Sequence, residues 1–483
     1  MNLTKTYRII RRLTHIGHLL SSGISRKLDQ WEIRNLPPQE EGLSPDLWDM
    51  TCGPNGHLMI QGCDSLSLAK QYGTPLYVVD KARLKKNYID FRDSFQKRYP
   101  RIEISYSYKT NPLPGVLKAL HEFGAGAEVV SPFELWLALN KLNVSPENII
   151  FNGPGKTEEA LDMAVSNNIK LININGPEEI ETIGKLAGRY ARKQQVGVRV
   201  ITSVGWKSKF GFEIKGQSAF KAFRDLKGLQ YVDPCCLHVH IGSGVHRIDK
   251  YLQAIKDVLE LSKLIKRELD ISIRYFDFGG GFGVPTVRGY SQLDFKLFKN
   301  NLPPRVTKVS TCPTINEYSQ KIIELFGDYY SDVLDDPPTI ILEPGRSITS
   351  SAQSLLLKAL EIRPSENEIT TVVVDGGKPV AGPVGREYHE IFHASKTNEP
   401  RNSLYSICGP TCTPQDVLCP VKRLPTLKRG DVLAIMDAGA YLVPTQSNFS
   451  FPRAPAVLVE NGHHELIRKS ESFEHIVALD SFQ

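Results

Sequence analysis

Lys109 lies in Tyr106-Ser107-Tyr108-Lys109-Thr110-Asn111-Pro112, directly behind the alternating run Arg101-Ile-Glu-Ile-Ser105. The alternation predicts a half-buried strand, and Asn111-Pro112 ends it before a helix restarts near Val116. A lysine at the carboxyl end of a strand is poorly placed for a core. It is well placed for chemistry, because parallel barrels assemble their sites there. Its amine can condense with an aldehyde cofactor once burial or a neighbouring charge tunes it. Taken alone, Lys109 reads as a surface lysine laying its stem along apolar neighbours. Other stretches change that reading. Gly279-Gly280-Gly281-Phe282-Gly283 follows the apolar run Tyr275–Phe278. Glycines there let backbone N–H groups approach a phosphate, although a tight turn needs them too. In Leu237-His238-Val239-His240-Ile241-Gly242-Ser243, alternation puts Cys236, His238 and His240 on one face. No fourth ligand is evident, so no metal is expected. His240 serves better as a flat ring against a cofactor ring, and Ser243 as a phosphate donor. Glu343-Pro344-Gly345-Arg346 closes a further strand. It is either a structural ion pair or a division of labour, with Glu343 facing a protonated ring nitrogen and Arg346 an anion. Cys408-Gly409-Pro410-Thr411-Cys412 is a tight turn whose plain reading is structural thiols, and Tyr441 offers a phenol to a phosphate.

The elements that must position these residues follow a simple rhythm. From residue 80 to about 345, strand-like runs alternate with helix-length segments: Ile102–Tyr106, Ala127–Val130, Ile149–Asn152, Leu171–Asn173, Val196–Val200, Cys236–Ile241, Tyr275–Phe278 and Thr339–Leu342. That is the arithmetic of a closed (β/α)8 barrel. The stretch at about 285–320 reads as a loop-like insertion. After residue 350, Leu355–Ile362, Thr370–Val374, Val432–Met436 and Ala456–Val459 are separated by Gly/Pro turns, which predicts an all-β module. Leu58–Ile60 and Leu76–Val79 read as short strands around a helix at Leu66–Tyr72, and residues 29–50 as a linker.

With 483 residues the chain is too long for one core, and 41% apolar with 23% charged residues is ordinary for a globular protein. The net charge of +6 gives no reason to expect nucleic acid, and no apolar run is long enough to span a bilayer. The eight cysteines form no regular framework, and no secretory signal stands out, so reduced thiols in a cytoplasmic protein are expected. Residues 1–28 lack acidic side chains but carry Lys5, Arg8, Arg11, Arg12, Arg26 and Lys27. They read as an amphipathic docking or membrane-surface helix, an organellar transit peptide, or a helix packed on its own domain or a dimer partner.

In order, Tyr108-Lys109-Thr110-Asn111, Glu128-Val-Val-Ser131 with Glu134-Leu135, Lys209-Phe210-Gly211, His238–Ser243, Gly279–Gly281, Glu343–Arg346, Cys408–Cys412 and Gly439-Ala440-Tyr441 resemble one family. It is the fold-type III pyridoxal-phosphate decarboxylases, the diaminopimelate, ornithine and arginine group. The resemblance runs from about Gly73 to about Ala456. It implies an alanine racemase-like (β/α)8 TIM barrel with a β-barrel domain drawn from both chain ends. On that pattern residues 1–45 are extension and linker, 46–79 join the β domain, 80–345 form the cofactor-binding barrel and 346–483 the C-terminal β barrel. The resemblance further implies pyridoxal 5′-phosphate on Lys109 as a Schiff base, His240 stacked on its ring and Glu343 at its nitrogen. Ser243, Gly280, Gly281, Arg346 and Tyr441 would surround the phosphate. Cys412, from the second subunit of a homodimer, would return a proton after CO2 leaves.

The pattern departs at the residues that read the substrate's far end. The acidic residue expected after the cysteine is Thr413, although Asp416 follows in the turn. The Arg-Pro…Tyr segment that binds a distal carboxylate is shifted and shortened to Gly382-Pro383-Val384-Gly385-Arg386-Glu387-Tyr388-His389, which leaves Arg346, Thr413, Arg386, Tyr388 and Tyr441 as candidate substrate contacts. The expected activity is decarboxylation of a diaminopimelate-like, otherwise modified or carrier-protein-tethered amino acid, as in natural-product pathways, with the basic extension docking an acidic carrier. A racemase or epimerase, and a catalytically silent regulator, are the alternatives. Cys412 disfavours the first of these, and retention of Lys109, His240 and Glu343 disfavours the second.

Overall fold

The computed structural model describes residues 32–36, 42–205, 209–306, 309–330, 336–366 and 368–481. The basic segment 1–28 lies outside them.

Eight parallel strands close on themselves: Ile102–Ser107, Gly126–Val129, Ile149–Phe151, Leu171–Ile174, Gln194–Ile201, Val232–His238, Tyr275–Asp277 and Thr339–Leu342. The last pairs with the first through Ile341↔Glu103, and the fourth with the fifth through Asn173↔Gly197, so no edge is left open. These are the eight runs read from the sequence. They were legible because strands covered by helices outside and packed inside are apolar on both faces. Helices between them start where the chain allows it. Pro114, Pro132 and Pro177 stand in the first turn, where a missing N–H costs nothing. Asp80 caps the helix Lys81–Gln96 by accepting from the Arg83 N–H.

The β domain is a nine-stranded sheet drawn from both ends of the chain. Leu76–Asp80 lies between Gln353–Arg363, antiparallel, and Ala456–Glu460, parallel. Ser403–Cys408 and Val417–Leu424 are strands that the sequence reading passed over, and together they present the Cys408–Cys412 turn.

Two expectations need correction. The linker reading of 29–50 fails at its described end: Pro45–Trp48 is a helical turn with Trp48 buried and its Nε1–H donated to Asp437 at 2.9 Å, while the Leu43 N–H donates to Glu390. One large aromatic in a polar stretch is enough to anchor it. The insertion at 285–320 contains the helix Gln292–Lys299, started by a Ser291/Asp294 capping box, so it is more than loop. No helix among the described residues is long and apolar enough to cross a membrane.

Candidate active site

At the carboxyl end of the barrel, Lys109 leaves the first strand on a single helical turn, Tyr108–Thr110. Its Nζ donates to Glu128 Oε2 at 2.6 Å, and Ser107 Oγ donates to the same oxygen. Glu128 projects from the second strand with its other oxygen accepting from Asn152 Nδ2 at 3.0 Å. The Asn152 amide also donates to Glu343, and its oxygen accepts from Asn173 Nδ2, which reaches Asp277 as well. A hydrogen-bonded belt therefore crosses the barrel from amine to carboxylate: Lys109, Glu128, Asn152, Glu343. Each member sits at or just beyond a strand end, where the last inward-pointing position is no longer roofed by apolar side chains.

Charge on this belt is tuned by burial and by opposition. Burial alone would lower the Lys109 pKa, but the Glu128 and Glu343 carboxylates outweigh it and hold the amine above its ordinary value. Burial would raise Glu343, yet the His238 ring, its Nε2 3.7 Å from Oε2, and the Lys109 ammonium hold it down. Asp277 is pushed well above the carboxylate range by its own burial and by Glu343 beside it. The two buried carboxyls thus carry one negative charge between them. His240 is pushed down to about 3 by burial, with Lys109 and Arg199 adding to the effect. Its Nδ1 accepts the Gly280 N–H at 3.2 Å, so the neutral ring carries its proton on Nε2.

The other side of the mouth is built for an anion. Gly281 has φ +93°, and a Cβ on it would sit 2.2 Å from the Gly242 carbonyl oxygen. A Cβ on Gly280 would be equally close to the Glu343 carbonyl oxygen. Two loops meet here so tightly that only glycine fits. Tyr251 holds the turn from below through the Gly280 carbonyl at 2.6 Å. Ser243 Oγ lies 3.4 Å from Tyr441 Oη, and the Arg346 guanidinium lies over the Tyr441 ring at 5.2 Å. Tyr441 itself holds φ +68°, a strained setting for an aromatic residue, fixed by its N–H donating to the Thr110 carbonyl beside Lys109. The buried Arg346 Nε has no hydrogen-bond partner among the described residues. An amine and buried carboxylates on one side, and two hydroxyls, an orphan N–H and a glycine turn on the other, fit an aldehyde that carries a phosphate and a ring nitrogen.

The structure thus gathers Lys109, His240, Ser243, Gly280, Gly281, Glu343, Arg346 and Tyr441 at one mouth. Others fall elsewhere. Cys412 is exposed on its turn, and among the described residues no hydrogen bond or ion pair joins it to Lys109. Thr413 is half-buried on that turn, and Asp416 is a buried clamp accepting from Thr411 and from the Lys378 N–H. Arg386 points into solvent. Tyr388, expected to contact substrate, is instead 1% exposed and bonded to Glu390, with Lys422 above its ring. Its aromatic bulk is spent on the β-domain core. The shared face of Cys236, His238 and His240 also dissolves, because the strand ends at His238. The neighbours of His238 are Asp277 and Glu343. Sequence reasoning missed Asn152, Asn173, Asp277 and Glu387. The first three carried a signal, each a single polar residue in an apolar strand end.

A family model for the pyridoxal-dependent decarboxylase pyridoxal-binding domain matches residues 83–350. Curated relatives include proteins named diaminopimelate decarboxylase. The one from Aquifex aeolicus is 32% identical over 88% of this chain and 95% of its own length. That from Methanocaldococcus jannaschii is 31% identical over the same shares. A solved diaminopimelate decarboxylase from M. jannaschii, crystallised with L-lysine, superposes with a TM-score of 0.80 at 28% identity over 90% of this chain and 98% of that one. The chain belongs to the pyridoxal-dependent decarboxylases, carboxy-lyases whose cofactor is pyridoxal phosphate.

Proposed function

We propose that this chain removes the α-carboxylate of a diaminopimelate-like amino acid, with the cofactor held on Lys109. The carrying observation is the belt Lys109–Glu128–Asn152–Glu343, with the glycine turn, Ser243, Arg346 and Tyr441 opposite. When bound, pyridoxal phosphate supplies the electron sink that accepts the pair left behind as CO2 departs. Lys109 binds its aldehyde carbon. The buried, anionic Glu343 would keep a proton on the ring nitrogen, and the neutral His240 ring would lie against the cofactor ring. Ser243 Oγ, Tyr441 Oη, Arg346 Nε–H and the N–H group of Gly281 would hold the phosphate, with Gly280 shaping the turn beside it.

The proton that replaces CO2 comes from the Cys412 thiol of a second copy in a homodimer. The exposed position of Cys412 on its turn supports that reading. The names of the relatives make diaminopimelate the first substrate to offer. A second reading, an amino acid masked at its far end or tethered to a carrier protein, is favoured by Thr413 and by the burial of Tyr388, which together leave the expected far-end contacts unfilled.

The test is mass spectrometry of products formed in deuterium oxide by holo-protein given diamino and acidic amino acids. Loss of CO2 with one deuterium gained at the α-carbon is expected. Deuterium exchange without CO2 loss would replace the decarboxylase with a racemase.

A further inference from the structure

Arg346 is the only described guanidinium in the anion cradle, and its fork is already occupied. Nη1 and Nη2 donate to Oε2 and Oε1 of Glu387, both at 2.9 Å, in the parallel two-bond geometry that guanidinium otherwise offers to a ligand carboxylate. Glu387 is not a floating side chain that happened to swing in. Its backbone lies in a two-stranded ribbon with Gly289 opposite. The next residue, Tyr388, is locked in the core. His389, bonded through Nδ1 to the Met436 carbonyl at 2.8 Å, brings its Nε2 to 3.6 Å from Glu387 Oε2. The His389 ring and Arg346 overcome burial and hold the Glu387 carboxyl at about 2, so it stays ionised throughout the working range. What remains of Arg346 is its buried Nε–H, which has no hydrogen-bond partner among the described residues, and the second N–H of each terminal nitrogen, with the guanidinium lying over the Tyr441 ring.

We propose that Glu387 closes Arg346 to the substrate, so that the site accepts an amino acid whose far end is uncharged or cationic and rejects one that ends in a free carboxylate. This rests on the decarboxylase reading above and, of its two substrate classes, selects the amino acid masked at its far end over free diaminopimelate, which ends in a carboxylate. The pair is electrically neutral, so a substrate carboxylate approaching the fork gains no net positive charge and meets Glu387 as a like charge. It also finds the end-on edge of the fork, Nη1 with Nη2, already taken by Glu387. The buried Nε–H would suit a phosphate oxygen at the glycine turn. An amide, an ester or an ammonium at the far end carries no such penalty, and an ammonium is attracted by the exposed edge of Glu387, whose side chain is 24% accessible.

The test uses holoenzyme and ligand pairs that differ only in far-end charge: glutamate against glutamine, and 2-aminoadipate against its side-chain amide, as racemates. Kd is read from the change in cofactor absorption on binding. In the wild-type protein the amide of each pair is expected to bind at least tenfold more tightly than the acid. In Glu387→Gln the ratio falls below threefold because the acid binds better. Glu387→Ala, which cannot accept from Arg346 at all, shows the same reversal and guards against a glutamine that keeps hold of the fork. Equal or tighter binding of the acid by the wild type would overturn the proposal, as would a ratio unmoved in both variants. The ratio comes from binding alone. Absence of CO2 from every ligand would therefore overturn the decarboxylase reading separately, with the charge preference still measured.

Discussion

Replacing Glu128 by Gln should make the enzyme take up its cofactor faster. The amine of Lys109 must be neutral to condense with an aldehyde, and Glu128 at 2.6 Å favours the charged form. Two unit charges at that distance attract by about 6 kcal/mol at an effective dielectric of ~20 and about 1.6 kcal/mol at that of water. The Lys109 side chain is 34% exposed, so the screened end of the range applies. About 1.5 to 3 kcal/mol corresponds to roughly a ten- to hundredfold change in the balance between charged and neutral amine. Glutamine keeps the shape and can still accept from Ser107, but it drops the charge, leaving burial and the more distant Glu343 to act on the amine. The neutral fraction at pH 8 then rises by about one to two powers of ten, and the second-order rate of cofactor uptake by apo-protein rises with it. Stopped-flow absorbance as a function of pH reads this directly. In the wild type the rate keeps climbing to high pH, and in the variant it levels off earlier. A variant rate equal to or below the wild-type rate, with the protein folded, would refute the assignment of Glu128 as the group that holds Lys109 protonated.

Asn152→Leu removes two amide bonds to carboxylates, and at about 1.5–3 kcal/mol each the loss should be about 3–6 kcal/mol in urea unfolding of the apo-protein; a loss under about 1 would show the belt to be incidental. Gly280→Ala places a methyl 2.2 Å from a backbone oxygen, so a cost of about 1–3 kcal/mol and at least tenfold weaker cofactor binding by fluorescence titration are expected. His240 holds a pKa of about 3 against about 6.5 unfolded, so below pH 6.5 the unfolded chain binds a proton that the folded chain refuses. Stability therefore falls with pH there, and His240→Phe should spare about 2 kcal/mol of the wild-type loss between pH 7.5 and 5.0, read from urea midpoints.

The barrel strands were legible because each is a short apolar run between helices, and Lys109, His240 and Glu343 because each interrupts such a run at its carboxyl end. The same logic applied evenly would have found Asn152 in Ile149–Asn152 and Asp277 in Tyr275–Phe278. They were passed over because neither belongs to a residue type associated with the expected chemistry. Glu387 had no such signal. Its partner lies 41 residues away on another domain's border, and only the folded ribbon brings them together. Tyr388 misled because it was expected from the family's Arg-Pro…Tyr segment, and a shifted, shortened segment does not say that its tyrosine meets the β-domain core. The strand Ser403–Cys408 was masked by the Cys-Gly-Pro turn it leads into, which dominates the local reading. Trp48 shows the converse, a tertiary anchor inside a polar stretch whose composition announces a linker.

Burying Glu128, Asp277 and Glu343 within one barrel mouth, all under 4% exposed, is costly unless the charges are answered. Part of the answer is internal. Lys109 faces Glu128, Asp277 holds a proton beside Glu343, and the Asn152 amide bridges two of the three. What remains is the charge on Glu343, set among His238 nitrogens that have no hydrogen-bond partner. Pyridoxal phosphate, when bound, would bring a ring nitrogen able to carry a counter-charge for Glu343, so the buried carboxylate would favour the cofactor in its ring-protonated form. That arrangement also explains why Lys109 can be held protonated without harm. Glu128 would keep a cationic partner whether Lys109 carries its own proton or holds the cofactor.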